Sequence, residues 1–432
     1  MLIRGSELDL QLSIVNRQLT KLGVKQMEKT PQANRLHISI LGRRNSGKSS
    51  LVNALTNQEL TVVSNVAGTT TDPVYKSMEI LPIGPVMIID TAGIDDTGEL
   101  GSLRVKKTKE VLNRTDLALL VVDPEVGVDH YEKELLAEAK EREIPVVGVV
   151  NKEDKVETID LKELMKELKI KLTAVSAKEG SGIDKLKKEI VLKAPEKFEK
   201  PDIIGDLIKP QDTVVLVVPI DLAAPKGRLI LPQVQTLRDI LDNDGQAVVV
   251  KETELKGALD NLKQEPKIVV TDSQAFMKVA ADVPEDILLT GFSILFARYK
   301  GDLEILTKGV KGIKKLEVGS KVLIAESCTH HRTADDIGTV KIPRWLRQEI
   351  GGEIDFDHVS GREFPDNIKD YDLIVQCGGC MANRKEILYR LKKADSLGIP
   401  IVNYGMLIAY VHGILDRALE PFPLAKMIWE GR

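Results

Sequence analysis

The segment from Gly42 to Ser49, G-R-R-N-S-G-K-S, constrains the fold of this 432-residue chain more than any other feature. It follows the apolar run 36–41 and precedes a segment that favours a helix, the order that a phosphate-binding loop requires. Its glycines let backbone amides wrap phosphate oxygens, and the helix N-terminus adds a favourable dipole. Lys48 can reach the β- and γ-phosphates, and the Ser49 hydroxyl can bind Mg²⁺. A simple glycine turn does not explain Lys-Ser in register with both glycines.

Apolar runs alternate with longer helix-compatible segments along most of the chain, which predicts an α/β fold with largely parallel sheets. A first domain would close near Ile190, and the proline- and charge-rich stretch 193–210 is typical of a linker. Two smaller α/β domains are expected after it, with one helical segment, 292–316, leading into the third. The predicted strands are 36–41, 86–90, 117–122, 145–150, 172–175, 213–219, 246–250, 267–270, 321–325, 371–375 and 399–402.

Three further motifs follow predicted strands at one edge of the first sheet. Asp90–Gly93 (D-T-A-G) places a carboxylate near Mg²⁺ and a glycine amide near the γ-phosphate. In Asn151–Asp154 (N-K-E-D), Asp154 can accept both N1–H and N2–H of guanine, a donor pair that adenine lacks, and Asn151 would tie this loop to the phosphate loop. Ser176–Lys178 (S-A-K) can offer a backbone amide to guanine O6. Together with the first motif, this order predicts a guanine-nucleotide site.

These motifs resemble those of the translation-factor-type GTPases, and within them the subgroup that contains Era and the tRNA-modification GTPase MnmE. Gly68–Asp72 (G-T-T-T-D) matches the switch I pattern of that subgroup, with Thr70 at its Mg²⁺ and γ-phosphate position. Asn45 matches the asparagine that holds K⁺ beside the phosphates, although asparagine also suits a loop that simply turns. Ile94 stands where Ras-like enzymes carry a water-positioning glutamine, so we expect slow, K⁺-stimulated hydrolysis.

The resemblance implies a role for each matching residue. The candidate catalytic residues are Lys48, Thr70 and Gly93. The residues expected to hold Mg²⁺ are Ser49, Thr70 and Asp90, and the residue expected to hold K⁺ is Asn45. Contacts to GTP or GDP are expected from Gly42, Asn45, Ser46, Gly47, Lys48, Ser49, Ser50, Thr70, Asp90, Gly93, Asn151, Lys152 (along the base plane), Asp154, Ser176, Ala177 and Lys178.

Composition argues against two broad classes of function. The formal net charge is −4, and aromatic residues make up only 4% of the chain, so a basic face interleaved with aromatics for nucleic acid is not expected. The longest uncharged apolar stretch, 287–297, is shorter than the ~20 residues needed to span a bilayer. Because Arg4, Glu7 and Asp9 interrupt the N-terminus, a signal peptide is not expected either. We therefore expect a cytoplasmic protein without a membrane or nucleic-acid partner.

The three cysteines, Cys328, Cys377 and Cys380, all lie in the last quarter of the chain, directly after two predicted strands. If those strands are parallel in one sheet, both loops meet at its carboxyl edge. A structural zinc site that adds His330 satisfies the usual ligand types. An iron–sulfur cluster held by three cysteines is a second hypothesis. A redox C-x-x-C pair is a third, but it leaves Cys328 unexplained. Spacing alone does not choose among these hypotheses.

A GTPase domain, a middle α/β module and a C-terminal domain with C-x-H and C-x-x-C resemble the HydF family of [FeFe]-hydrogenase maturation GTPases from about residue 35 onward. In that family three cysteines bind a [4Fe–4S] cluster whose fourth site is exchangeable. The resemblance implies that Cys328, Cys377 and Cys380 bind the cluster. Gln376 departs from the family pattern, which usually has histidine there. The fourth ligand is therefore open, with His330 as the first candidate and Asp335 or its neighbour Asp336 as carboxylate alternatives.

The resemblance also implies a carrier function and its partners. The protein would receive a diiron subcluster precursor assembled with two radical-SAM maturases and pass it to the apo-hydrogenase, with GTP hydrolysis switching partner exchange. A homodimer is expected through the middle module. The corresponding domains are an N-terminal extension (1–34), a GTPase domain (35–195), a dimerisation domain (205–290) and an iron–sulfur cluster-binding domain (291–432).

Two other functions compete with this interpretation. One is a zinc-binding Era/MnmE-like GTPase that acts on RNA or the ribosome, which predicts a basic, aromatic-rich face. The other is a GTPase fused to a thiol-redox domain, in which Cys328 would be dispensable. Metal analysis separates them, because only the cluster hypothesis requires iron and sulfide.

Overall fold

The computed structural model describes residues 32–56, 73–91, 99–195, 201–219, 229–327, 336–361, 364–379 and 381–432. Three sheets, each flanked by helices, follow one another along the chain. The predicted α/β class, with a P-loop domain followed by two smaller α/β units, is confirmed.

The first sheet has six strands in the order β2-β3-β1-β4-β5-β6. All neighbouring strands are parallel except β2, which runs antiparallel to β3 at the edge. The two central strands are buried along their whole length, as expected for a parallel sheet covered on both faces. The strands are β1 (Leu36–Gly42), β2 (Val74–Ile80), β3 (Gly84–Asp90), β4 (Leu117–Val122), β5 (Val146–Val150) and β6 (Leu172–Ala174).

Helices cover both faces of this sheet and enclose separate apolar clusters. At the start of the third helix Asp129 and Glu132 form a capping box. The side chain of each residue accepts a hydrogen bond from the backbone amide of the other. The helices are α1 (Lys48–Thr56), α2 (Glu99–Leu112), α3 (His130–Glu141), α4 (Leu161–Leu168) and α5 (Ile183–Lys193).

The middle sheet contains four parallel strands in the order β10-β9-β7-β8. Its strands are β7 (Thr213–Val217), β8 (Gln246–Val250), β9 (Ile268–Thr271) and β10 (Leu288–Gly291). The helices between them are α6 (Leu231–Asp242), α7 (Leu255–Asn261) and α8 (Phe276–Asp282).

The helical segment expected over 292–316 is confirmed, but it is not continuous. The structure has two helices, α9 (Phe292–Lys300) and α10 (Leu303–Ile313), separated at Gly301 and Asp302. Asp302 ends the continuity because its carboxylate accepts from the amides of Glu304 and Ile305, both at 3.0 Å, and so caps a new helix.

The C-terminal sheet is also parallel, in the order β12-β11-β13-β14. This confirms that the strands before the two cysteine loops are neighbours in one sheet. Its strands are β11 (Lys321–Glu326), β12 (Asp355–Ser360), β13 (Leu373–Gln376) and β14 (Ile401–Asn403). Its helices are α11 (Ile342–Ile350), α12 (Arg384–Ser396), α13 (Tyr404–Val411), α14 (Leu415–Ala418) and α15 (Pro423–Glu430).

The middle and C-terminal units share one apolar core, which runs from Ile203 to Ala425 through both sheets. The cores of the first domain are distinct from it. Among the described residues, no helix combines the length and apolar character needed to cross a bilayer.

Candidate functional site

The phosphate loop lies between β1 and α1, as the motif predicts. Gly47 has a φ of +85°, and a Cβ there would lie 2.2 Å from the Asn151 amide nitrogen, so the loop needs glycine at this point. Asn45 is exposed with a φ of +61°, a conformation that asparagine tolerates better than most residues. Ser46 is buried, and its hydroxyl donates to the Arg43 carbonyl at 2.9 Å. The loop is thus ordered by its own backbone and by the guanine-side loop.

Lys48, the lysine of the motif, is the first residue of α1. Its ammonium is buried and donates to the carbonyls of Gly42 at 3.0 Å and Arg43 at 2.5 Å. Both acceptors belong to the phosphate loop, so the cation is held directly over the loop where phosphate oxygens are expected.

Ser49 and Asp90 form the expected Mg²⁺ pair. The Ser49 hydroxyl donates to Asp90 Oδ2 at 2.6 Å, and the buried Asp90 Oδ1 has no hydrogen-bond partner among the described residues. Burial raises the pKa of Asp90, while the Ser49 hydrogen bond and the nearby Lys48 charge oppose the increase. A buried carboxylate oxygen without a partner, beside a hydroxyl, fits a hard cation such as Mg²⁺.

Asn151 links the phosphate loop to the loops expected to surround the base. It is buried, and its amide nitrogen donates to the carbonyls of Ser46 at 3.0 Å and Gly47 at 3.3 Å. Its Oδ1 accepts the Ala177 amide at 3.0 Å. One amide of the S-A-K motif therefore donates to Asn151 in this structure.

Lys152 makes an ion pair that the sequence did not reveal. It has a φ of +65°, and its ammonium lies 2.5 Å from Asp123 Oδ2. Asp123 directly follows β4, at the same carboxyl edge of the sheet as the other loops. An aspartate directly after a buried strand is the sequence signal that could have indicated a site residue here. No neighbouring residue, however, identifies Lys152 as its partner.

Asp154 lies next to the S-A-K loop. Its exposed carboxylate accepts the Ser176 hydroxyl at 2.6 Å, and this hydrogen bond lowers the Asp154 pKa. The carboxylate is therefore held in the acceptor state that pairing with guanine N1–H and N2–H requires. Ser50 is half-buried on α1, and Lys178 is exposed in the S-A-K loop.

Several predicted site residues lie outside the described residues. They are Thr70 and Gly93 of the nucleotide site, and Cys328, His330, Asp335 and Cys380 of the cysteine site.

The described parts of the two cysteine loops meet at the carboxyl edge of the C-terminal sheet. The Ser327 amide donates to Cys377 Sγ at 3.1 Å, and the Cys377 amide donates to the Ala325 carbonyl at 3.0 Å. Because Ser327 precedes Cys328 in the chain, the sheet brings the first cysteine loop to the second. Cys377 is buried, so its sulfur is enclosed at this edge.

Tyr404 directly follows β14 and lies at the same edge of the sheet. Its hydroxyl donates to the buried Glu326 at 3.1 Å. Burial raises the Tyr404 pKa, and the negative charges of Glu326 and Cys377 raise it further. Tyr404 therefore stays a neutral hydrogen-bond donor beside the sulfur.

A buried arginine, Arg390, contacts Ser327 directly before the first cysteine. Arg390 is 1% exposed and donates to Glu386 at 2.9 Å and to the Ser327 hydroxyl at 3.3 Å. Its guanidinium also lies over the Phe364 ring. This network fixes Ser327, whose amide reaches Cys377, and it was not visible from sequence.

Two residues that bear on the fourth ligand lie among the described residues: Asp336, a carboxylate candidate, and Gln376, the departure from the family pattern. Asp336 caps the short turn 337–341, accepting the Thr339 amide at 2.8 Å and hydroxyl at 2.9 Å. Gln376 is buried, and its Oε1 has no hydrogen-bond partner among the described residues. The described residues supply one cysteine and one amide donor to its sulfur, which suits part of an iron–sulfur site, and the other expected cysteines lie outside the described residues.

Comparison with protein families assigns most of the chain. A model of the Hydrogen maturase F dimerization domain matches residues 203–301, and one of the Hydrogen maturase F tetramerization domain matches residues 304–421. These two matches together cover half of the chain. The chain belongs to the HydF family. A third model, the 50S ribosome-binding GTPase, matches residues 37–152, so this HydF-family chain carries a GTPase domain at its N-terminal side.

Curated relatives match the GTPase part. GTPase Der of Mycoplasmopsis agalactiae is 38% identical over 191 residues, which are 40% of this chain and 43% of that protein. GTPase Der of Wolinella succinogenes is 35% identical over 46% of this chain and 43% of its own length. The tRNA modification GTPase MnmE of Moorella thermoacetica is 35% identical over 36% and 34%, respectively. The chain thus spans less than half the length of these relatives.

Two solved structures match parts of the chain. An Aquifex aeolicus Era variant bound to GDP·AlF4⁻ is 22% identical with a TM-score of 0.34, covering 50% of this chain and 93% of that one. The G domain of the T. maritima FeoB iron transporter is 26% identical with a TM-score of 0.30, covering 37% and 99%.

Proposed function

We propose that this HydF-family chain is a GTP-hydrolysing scaffold that binds a [4Fe–4S] cluster and delivers a diiron subcluster precursor to apo-[FeFe]-hydrogenase. The observation that supports it most is the hydrogen bond from the Ser327 amide to Cys377 Sγ, which brings the two cysteine loops to one edge. Cys328, Cys377 and Cys380 would hold the cluster, with His330 or Asp335 as candidates for its fourth iron. When bound, the cluster supplies an iron site at which a second metal group can attach.

In the nucleotide site, the described residues bind and orient GTP with Mg²⁺. Ser49 and Asp90 hold the cation, and Lys48 neutralises charge that develops on the β- and γ-phosphate oxygens. Asp154 selects guanine over adenine, and Asn151 keeps the base loop in register with the phosphate loop. Thr70 and Gly93 would complete the γ-phosphate contacts in the active state.

We also propose that hydrolysis is slow and K⁺-stimulated. Ile94 replaces the side chain that orients water in Ras-like enzymes, so charge neutralisation has to supply more of the rate. Asn45 would hold K⁺ beside the phosphates. Replacing K⁺ by Na⁺ at constant ionic strength should lower the steady-state rate, and Asn45→Ala should remove the difference. Equal wild-type rates in the two salts would contradict this role.

For the carrier function, we propose that the chain exchanges between radical-SAM maturases and the apo-hydrogenase, and that it self-associates as a homodimer through residues of the 203–301 match. The test is transfer: protein co-expressed with the maturases is mixed with apo-hydrogenase, and hydrogen evolution is measured. Wild-type protein should activate the hydrogenase, and Cys377→Ser should not. Activation by Cys377→Ser at the wild-type level would contradict the proposal, and a wild-type circular dichroism spectrum and urea midpoint for that variant serve as the folding control.

A further inference from the structure

Arg43, the second residue of the phosphate loop, contacts the start of α3 through its side chain. Its Nε lies 2.9 Å from Glu132 Oε1, and its terminal nitrogen lies 3.2 Å from Asp129 Oδ2. The guanidinium also lies over the Tyr131 ring, 5.6 Å from its centroid. We call these contacts of Arg43 with Asp129, Tyr131 and Glu132 the Arg43 clamp. It joins α3 to a loop position at which the G-x-x-x-x-G-K-S motif accepts any residue.

The helix side of the clamp is well anchored. Glu132 is 2% exposed, and it also accepts the Asp129 backbone amide at 2.9 Å as part of the capping box. One turn later, Leu135 and Leu136 are buried in an apolar cluster with residues of β1 and β4. A buried carboxylate holds its cation firmly, because losing that cation would leave its charge unpaired and away from water. The planar fork of arginine can meet two carboxylates at once, which the point charge of lysine does not match.

The backbone of Arg43 serves the phosphate site. Its carbonyl accepts the Lys48 ammonium at 2.5 Å and the Ser46 hydroxyl at 2.9 Å. Because the side chain and the carbonyl belong to one residue, a side chain fixed on α3 restricts the direction in which this carbonyl points. Lys48 is the cation expected at the β- and γ-phosphate oxygens. The clamp thus connects α3 to the group that holds Lys48.

We propose that Arg43 is a positioning residue for GTP hydrolysis, which is anchored on α3 and holds the carbonyl that orients Lys48 toward the phosphates. The inference rests on the GTP-hydrolysing part of the proposed function and does not involve the cysteine site. Groups whose interactions strengthen in the transition state affect kcat more than they affect binding. Charge redistributes over the phosphate oxygens as the γ-phosphoryl group transfers, so a misplaced Lys48 lowers kcat more than it lowers GDP affinity.

The experiment separates positioning from stability. It compares the wild-type chain with Arg43→Met, Arg43→Lys and the double variant Arg43→Met/Glu132→Leu. Lysine keeps the charge without the fork, and the double variant removes the carboxylate that Arg43→Met leaves unpaired, since an apolar pair often replaces a buried ion pair without loss of stability. Three quantities are measured: kcat at saturating GTP per mole of bound nucleotide, GDP affinity by fluorescent-GDP titration, and the urea midpoint.

Arg142→Met is the matched control. Arg142 pairs with Glu138 at the C-terminal end of α3, roughly 15 Å along the helix from Glu132 at 1.5 Å per residue. The substitution removes an arginine–glutamate pair from the same helix, far from the phosphate loop. It should therefore keep the wild-type kcat and GDP affinity.

Arg43→Met should lower kcat about 10-fold and GDP affinity about 3-fold or less, because the base and loop contacts remain. Arg43→Lys should have a kcat between those of wild type and Arg43→Met. The double variant should regain most of the wild-type urea midpoint while its kcat stays at the level of Arg43→Met. Wild-type kcat in Arg43→Met overturns the proposal. So does a double variant whose kcat recovers together with its midpoint, because the clamp would then act through stability alone.

The two levels of inference fail differently. Wild-type protein that binds but does not hydrolyse GTP contradicts the GTP-hydrolysing part of the proposed function and, with it, the role of Arg43. Wild-type protein with normal turnover and Arg43 variants indistinguishable from it contradict the role of Arg43 alone. If Arg43→Met does not fold, as judged by its circular dichroism spectrum, the kcat values of the double variant and of Arg43→Lys give the decision.

Discussion

Asn151 shows how one buried side chain can organise a nucleotide site. Its amide nitrogen and oxygen connect the phosphate loop at Ser46 and Gly47 with the S-A-K loop at Ala177. The motif predicted this link, because asparagine carries a donor and an acceptor on one planar group. By contrast, the Lys152–Asp123 ion pair was not predictable, because its partners lie in loops that follow two different strands and neither residue type specifies the other.

Asn151→Ala should weaken GDP binding by about 10- to 100-fold. Truncation leaves a buried carbonyl and a buried amide without partners, which costs roughly 1–3 kcal/mol, and every 1.4 kcal/mol is about tenfold in affinity. The measurement is a fluorescent-GDP titration of wild type and variant. Asn261→Ala, at an exposed helix end, is the control and should bind like wild type. Unchanged affinity in Asn151→Ala would mean that the link does not order the site.

At the scale of elements, the fully buried parallel strands were predictable, whereas edge strands were not. In both β2 and β12 nearly every residue is exposed or half-buried, and polar residues interrupt the apolar ones, so neither strand forms an apolar run. No strand was predicted for β10, which has only four residues and leads directly into α9. Local pattern identifies elements that are buried on both faces, but an edge strand depends on a partner that is distant in sequence.

Asp302→Ala should destabilise the protein by about 1 kcal/mol. The Asp302 carboxylate accepts two amides at the start of α10, and removal of such a cap typically costs 0.5–2 kcal/mol, or roughly 1. Urea unfolding followed by circular dichroism measures the change. The control is Glu317→Ala, an exposed acidic residue beyond the end of that helix, which should leave the midpoint within experimental error. Equal midpoints for Asp302→Ala and wild type would show that the break between α9 and α10 does not depend on this cap.

At the scale of the whole molecule, the GTPase domain contacts the C-terminal unit just beyond the cysteine loop. The Asn383 amide nitrogen donates to the Arg114 carbonyl at 2.8 Å, while its Oδ1 caps α12 by accepting the Glu386 amide. Arg114 lies in the turn between α2 and β4. Asp116 in the same turn interacts electrostatically with Lys385 of the C-terminal unit. The nucleotide domain therefore meets the helix that follows the cysteine loop, which no sequence motif indicated.

Asp116→Asn should flatten the pH dependence of stability between pH 4 and 6. Burial raises the Asp116 pKa to about 6, against the opposing effects of the His37 amide and Lys385. Because the folded state holds the proton more tightly than the unfolded state, stability falls as pH rises from the unfolded pKa through the folded one, by about 3 kcal/mol. Urea midpoints of the nucleotide-free protein at pH 4.5 and 7 measure this. Asp282→Asn, at an exposed aspartate, is the control.

The loss of stability toward neutral pH should therefore be smaller in Asp116→Asn than in wild type and in the control. Should the variant show the same fall as wild type, Asp116 does not carry the proton that links pH to the contact between domains.

The most direct test of the central claim is metal and sulfide analysis of anaerobically purified wild-type protein, with EPR of the reduced sample. The account predicts about four iron atoms and four sulfides per chain, with a [4Fe–4S]⁺ EPR signal, all lost in Cys377→Ser while GTP hydrolysis persists. Stoichiometric zinc without iron in the wild-type protein would contradict the cluster site and the carrier function built on it.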